Sequence, residues 1–391
     1  MINITDASAA LKTLYLGVLT EQLNTKINPL LAKLEQTSND VYGKEVKKLV
    51  TNGINGGIGS GTETGSLPIA TGNTYLELTL PLKNFFGKIE ISDKAIRASQ
   101  NNSGAFVNLL NTEMDSLIKS SKFNFGRMVF GDGTGKLATI VADATNTDNS
   151  QFKVDDVSKF VIGMVIDIET NGNVPASARA KTITAIDYTN KTVRINVVPS
   201  SALAAGSIIF NQGSKDKELT GLDAIFGNSA SLYGLTRATY SFLQPYKNTS
   251  TGALSLECIQ DAIDKVEQCA GSTINYITCS YDVRKKYVAL CAAKNSNIDV
   301  MNLDGGYKAL SYAGIPVVAD RFCPSGSMYM LNTDDFKLYQ LCDWRWLEGE
   351  SGSVLKQATN TASYSATLVK YADMLCEKPH GQALLSGITV A

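Results

Sequence analysis

The stretch that most constrains this chain is residues 103–137. Phe106, Leu109, Leu110, Met114, Leu117 and Ile118 recur at helical spacing, and Asn108, Asn111, Asp115 and Lys119 fill the opposite face. Ser103 is the candidate N-cap. Apolar character continues through Phe123, Phe125, Met128, Val129 and Phe130, until Gly131-Asp132-Gly133-Thr134-Gly135 ends any regular element. The pattern predicts one long helix with a buried C-terminal end. Arms and loops precede this strut, and two globular units follow it.

Upstream, Leu11, Leu14, Tyr15, Val18, Leu19, Leu23, Ile27, Leu30, Leu31 and Leu34 form an apolar helical stripe that needs a partner surface. Pro29 lies inside it and predicts a kink or a split into two helices, because proline removes a donor and clashes with the preceding turn. The stripe docks either on another copy or on its own domain. Leu14, Val18, Leu23 and Ile27 are the candidate assembly contacts of this arm. Gly57, Gly59, Gly61 and Gly65 then read as a flexible hinge. A phosphate cradle would need a strand before and a helix after, and the next element is strand-like. Leu76, Leu78, Leu80 and Leu82 alternate with polar residues, as do Phe85, Ile89 and Ile91, which predicts a two-stranded hairpin turning at residues 81–84. Isolated hairpins are marginal in water, so this one needs a neighbour, and Leu76, Leu78, Leu80 and Phe85 are its candidate contacts.

Gly131-Asp132-Gly133-Thr134-Gly135-Lys136 imitates a phosphate loop, but the lysine arrives one residue early and Leu137 stands where Ser or Thr is required. From residue 146 to 219 the chain shifts to β-rich runs at 161–168, 180–186, 192–198 and 207–210. A glycine bend followed by a buried run occurs twice, around Gly163 and Gly206, and such pseudo-repetition is common in small barrels. Residues 146–219 therefore read as an inserted β-barrel or sandwich, with polar flanks that suit an insertion. The remainder alternates helix and strand. Ser255 and Ser280 are candidate N-caps of two helices, and residues 276–279, 314–320, 328–331, 337–342 and 364–376 read as strands. Trp344 and Trp346 alternate with Arg345 and Leu347, the pattern of a half-exposed strand.

A chain of 391 residues with 44% hydrophobic content can build two or three cores. Its 36 basic and 37 acidic residues exclude a dedicated nucleic-acid or anionic-membrane binder. The first residues show no secretory leader, and no apolar run approaches the roughly eighteen residues of a membrane span, so a cytosolic product is expected. Seven cysteines beyond residue 250 without a CxxC pair fit reduced thiols rather than a disulfide frame or zinc site. The single histidine, His380, has no nucleophile motif to serve, and Asp155-Asp156 and Asp334-Asp335 diverge by spacing. No catalytic, cofactor-binding or metal-ligating residue is identified, and an enzyme is not expected.

The order of elements, with Gly131-Asp132-Gly133-Thr134-Gly135 and later Gly314-Ile315-Pro316-Val317-Val318-Ala319-Asp320 followed by Pro324-Ser325-Gly326-Ser327-Met328-Tyr329-Met330-Leu331, resembles the HK97-fold major capsid proteins of tailed bacteriophages. The resemblance implies an α+β HK97-like fold. Its parts would be an N-terminal helical arm (1–56), an extended loop hairpin (57–100), a peripheral domain with a spine helix (101–145) and an inserted small β-barrel (146–219). An axial domain (220–360) and a return to the peripheral domain (361–391) complete it. It further implies a homo-oligomeric icosahedral shell of hexamers and pentamers in a virion, built in the host cytoplasm, with portal and separate scaffolding proteins and packaged double-stranded DNA contacted non-specifically. An encapsulin-like shell or a β-rich surface-binding protein are the other readings.

Overall fold

A computed structural model describes residues 28–93, 103–141, 150–196, 203–293, 300–302, 308–348, 354–357 and 362–390, with backbone alone at residues 42, 103–113, 300–302 and 308–309. The long helix spans Ser103–Met128. Met114, Ile118, Phe125 and Met128 are buried along it, and Val129 and Phe130 continue the buried run into the glycine cluster, as their spacing predicts.

The helix lies on a five-stranded sheet. In it Glu35–Thr37 runs parallel to Phe336–Trp346, which pairs antiparallel with Ser363–Cys376, which in turn pairs along Lys83–Ser92. Contact between helix and sheet is close: the rings of Phe85 and Phe125 meet edge to face at 5.6 Å, and a Cβ at Gly87 would come within 3.0 Å of Leu117. Trp344 and Trp346 are buried on this sheet while Arg345 and Leu347 face out, so the two tryptophans and the expected 337–342 strand form one continuous element.

A seven-stranded sheet forms the second body, in the order Tyr246–Asn248, Ala383–Leu385, Met328–Leu331, Tyr276–Cys279, Ile315–Ala319, Lys308–Tyr312, Val300–Asn302. Tyr276–Cys279 is central and buried at every position. The helices Leu256–Ala270 and Tyr281–Ala293 cover it. Ser255 Oγ accepts the Cys258 amide at 3.1 Å and Gly271 ends the first helix at φ 58°, while Ile259, Ala262, Ile263 and Val266 supply its buried stripe.

A six-stranded unit leaves the body at the glycine cluster and returns at residue 219. Its order is Lys136–Thr139, Ile208–Asn211, Val165–Glu169, Lys181–Asp187, Thr192–Ile195, Gln151–Lys153. A bridge between Ile140 and Val154 brings its first and last strands together, around a core that includes Phe152, Phe160, Ile168 and Ile209. Its first strand begins ahead of residue 146, where the composition shift had suggested.

Two expectations are corrected. Thr74–Pro81 and Lys83–Ser92 do not pair with each other: the former pairs with Glu45–Asn52 and the latter with Ser363–Cys376. The favoured two-residue hairpin turns need positive φ. None of residues 81–84 adopts it, and the Leu82 amide bonds the Lys44 carbonyl at 3.0 Å, so the chain runs straight from one sheet into the next. The reversal lies instead in residues 53–73, where Gly53 has φ 94°, so the glycine-rich segment is the tip of the hairpin rather than a link leading to it. Pro29 does break the upstream pattern, by opening a helix. It stands at the first position of Pro29–Lys33, with Asn28 Oδ1 accepting the Leu30 and Leu31 amides at 3.0 and 3.1 Å.

Candidate assembly surfaces

The hairpin of Glu45–Asn52 and Thr74–Pro81 is anchored at its base. Val46, Leu78 and Leu80 are buried in the main core, the Thr79 amide donates to the Tyr233 carbonyl at 3.0 Å, and Lys48 pairs with Glu377 at 3.2 Å. Away from the base the hairpin leaves the body. Residues 53–73 carry only local contacts: Asn55 Oδ1 accepts from the Gly57 amide at 2.9 Å and the Thr71 hydroxyl at 3.3 Å, and the Gly65 amide closes the tip on the Thr62 carbonyl at 3.0 Å. Yet this loop is not polar throughout. Ile54, Ile58, Leu67 and Ile69 stand 87%, 85%, 89% and 86% exposed, and Leu49 and Tyr75 extend the apolar surface down the strands. Scattered exposed apolar residues are ordinary, whereas here four large aliphatic side chains stand exposed on one projection.

Of the residues singled out from sequence, Leu14, Val18, Leu23 and Ile27 lie outside the described residues. Leu78, Leu80 and Phe85 are buried in the chain's own core and Leu76 is half-buried, so the free apolar surface is not theirs. Strand alternation explains the difference: the leucines face the body, and the apolar residues that project sit in the loop beyond. Ile54, Ile58, Leu67 and Ile69 carry little signal in the sequence because glycine, threonine and serine surround them. The available signal was four large aliphatic residues within a segment that has no periodicity with which to bury them. Phe86, exposed beside Tyr371, was masked by alternation with buried Phe85.

Several titratable groups have structural partners. His380 Nδ1 lies 3.1 Å from the Phe242 carbonyl, and burial lowers its pKa. Asp155 Oδ1 accepts the Thr139 and Asp156 amides, and Asp156 holds the Ser158 amide and hydroxyl. Asp335 accepts Gln382 Nε2 at 3.0 Å. Lys370 is buried with its Nζ 2.7 Å from both Gln340 Oε1 and Asp343 Oδ1, and burial lowers its pKa despite the Asp343 carboxylate. Burial pushes Asp373 up to about 7 and Asp320 up to about 6. Among the described residues no group of three or more His, Cys, Asp or Glu is placed to hold a metal, and no helix is long and apolar enough to cross a membrane. The seven cysteines are free thiols.

No family model matches the chain, and no curated protein matches it in sequence. Among solved structures it is similar to a chain of the cyanophage A-1(L) capsid asymmetric unit, with a TM-score of 0.58 and 15% identity over 93% of each chain. Looser likenesses are to the capsid of an empty gene-transfer-agent particle (TM-score 0.49, 10% identity, 92% of this chain and 90% of that one) and to the encapsulin of Synechococcus elongatus (TM-score 0.47, 9% identity, 94% and 90%). The chain has the HK97-like fold of phage capsid subunits, a mixed α/β architecture, as its order of elements implies.

Proposed function

We propose that this chain is a major capsid protein whose copies form the hexamers and pentamers of an icosahedral phage head around double-stranded DNA. The observation that carries the reading is the projecting loop, on which Ile54, Ile58, Leu67 and Ile69 are almost fully exposed. Burying a Leu or Ile side chain contributes about 1.5–3 kcal/mol. Four such side chains in each copy, repeated around a closed shell, add many modest contacts that act together. The capsid fold supports the same reading. In this account the arm ahead of Glu45, the hairpin of Glu45–Asn52 and Thr74–Pro81, the spine-helix domain and the seven-stranded axial domain are the shell-forming parts. The six-stranded unit acts as an inserted barrel, and the presence of Lys136–Thr139 in its sheet supports a first boundary ahead of residue 146. The subunit acts as a structural protein rather than an enzyme. Portal and scaffolding proteins and non-specifically held DNA are its partners, and assembly in the host cytoplasm leads to the virion. The near balance of acidic and basic residues suits weak, sequence-independent contact with DNA.

Electron micrographs of the purified chain test the proposal. Closed shells of uniform size are expected, and deletion of residues 1–27, which spares the buried Leu30, Leu34 and Val46, should give soluble subunits that do not close. Dispersed single molecules from the intact chain would overturn the proposal, and normal shells from the truncation would remove the arm from it.

A further inference from the structure

Among the described residues, hydrogen bonds and ion pairs tie the six-stranded unit to the rest of the chain at two separate places, and these differ in kind. The first is its root, where the backbone crosses twice. Here the Asp216 amide donates to the Thr134 carbonyl at 2.8 Å, Glu218 pairs with Arg127, and Gly133, Gly135, Gly213 and Asp216 all adopt positive φ. No regular element runs through the root. The second is the 155–160 turn. Arg321 Nε, from the far end of the Ile315–Ala319 strand, donates to the Ser158 carbonyl at 3.3 Å. The same guanidinium lies 5.0 Å from the Phe123 ring centroid on the long helix and 5.9 Å from that of Phe322. The turn is stiff within its own unit, since Asp156 carboxylate oxygens accept the Ser158 amide at 2.8 Å and its hydroxyl at 2.7 Å. Lys159, next along the turn, attracts the buried Asp223 carboxyl, whose oxygen accepts the Tyr329 hydroxyl at 2.6 Å.

Alongside the turn lies a cleft of about 620 Å³. Phe86, Phe123 and Asn124 form its wall on the body, and Val161, Ile162 and Val165 its wall on the six-stranded unit. Phe86 and Ile162 are 65% and 63% exposed across this gap. Among the described residues the unit is therefore joined by its root on one side and by the Arg321 donor and the Lys159 attraction to Asp223 on the other, with open space between its wall and the helix.

We propose that Arg321 is a latch: it holds the six-stranded unit in one pose against the long helix, and its release lets the unit pivot about the root and change the width of the cleft. The guanidinium is suited to this because one planar group bonds the turn while stacking on rings of both the helix and the 321–322 segment, so all three are held by one side chain. The inference concerns the single chain and stands whether or not copies assemble. A latch of this kind gives one sequence two presentations of the Phe86 and Ile162 surface.

The test is a distance distribution on the full chain, diluted with unlabelled copies, between nitroxides carried by a keto amino acid at Tyr188 and Tyr281, both exposed. The wild type is expected to give one narrow distance. Arg321→Ala should move roughly half or more of the population to a second distance, a change in the pose equilibrium of about tenfold or more. Retention of the thermal transition shows that the variant is folded. If Arg321→Ala does not fold, Phe123→Leu, which removes a stacking ring and keeps the apolar contact, carries the same reading. An unchanged distribution in the folded variant, or a wild type already broad, overturns the latch.

Discussion

Arg127 and Glu218, 91 positions apart in sequence, meet in a bidentate pair: Nη1 to Oε2 at 2.8 Å and Nη2 to Oε1 at 2.5 Å. Both side chains are almost fully buried. The pair ties the end of the long helix to the segment by which the six-stranded unit returns. Removing one partner leaves an uncompensated buried charge, so Glu218→Gln should cost about 3–5 kcal/mol. The double replacement Arg127→Met with Glu218→Leu should recover most of that loss, as chemical denaturation will read; a single variant as stable as the wild type contradicts the assignment.

Asp373 gives the fold a pH dependence. Its Oδ1 accepts the Thr220 and Met374 amides at 2.7 and 2.8 Å, its Oδ2 the Thr220 hydroxyl at 3.0 Å, and burial pushes its pKa from 3.8 to about 7. A folded-state pKa above the unfolded one means that the neutral acid is favoured on folding. The contribution is fully present below about pH 4 and is lost as pH rises through about 7, at up to ~1.4 kcal/mol per pH unit. Asn fits the same site, with its oxygen on the two amides and its NH₂ facing the reversible Thr220 hydroxyl. Urea midpoints of Asp373→Asn should therefore exceed the wild type at pH 8 and converge with it only below about pH 4.

Two glycines should respond differently to alanine. A Cβ at Gly221 would sit 2.5 Å from the Gly131 and Met128 carbonyl oxygens and 2.7 Å from that of Val129, so backbone must move. At Gly163, φ is 88° with open space around it. Gly163→Ala should cost about 1–2 kcal/mol from the left-handed backbone alone, and Gly221→Ala clearly more; equal thermal shifts would contradict the packing at the root.

The projecting loop should matter to assembly and not to the fold. Replacing Ile54, Ile58, Leu67 and Ile69 together by serine removes almost nothing buried in the single chain. Its unfolding free energy should stay within about 0.5 kcal/mol of the wild type. Sedimentation should show the same variant failing to form particles.

The regular parts of this fold could be read from its residues. The apolar spacing of Met114, Ile118 and Phe125 marked the long helix, Ser255 its smaller counterpart, and the Trp344 and Trp346 alternation a one-sided strand. Pairing was less legible, because alternation tells which face of a strand is buried and not which neighbour it meets. Leu78 and Phe85 each lie on the buried face of a strand, in the chain's own core, and they belong to different sheets. The turn chemistry around Pro81 held the missing information: no glycine lies there and no residue adopts positive φ, whereas Gly53 does. The apolar loop surface was hard to see for a related reason. Ile54 and Leu67 have no periodicity, and their exposure follows only once the hairpin is known to stand clear of the body.

Self-assembly of the intact chain is the claim on which the functional reading rests, and particle mass by light scattering addresses it directly. Purified full-length protein should scatter as closed particles of megadalton mass, with the loop variant remaining small. A 41.9 kDa species at every concentration, with the loop intact, would contradict the account.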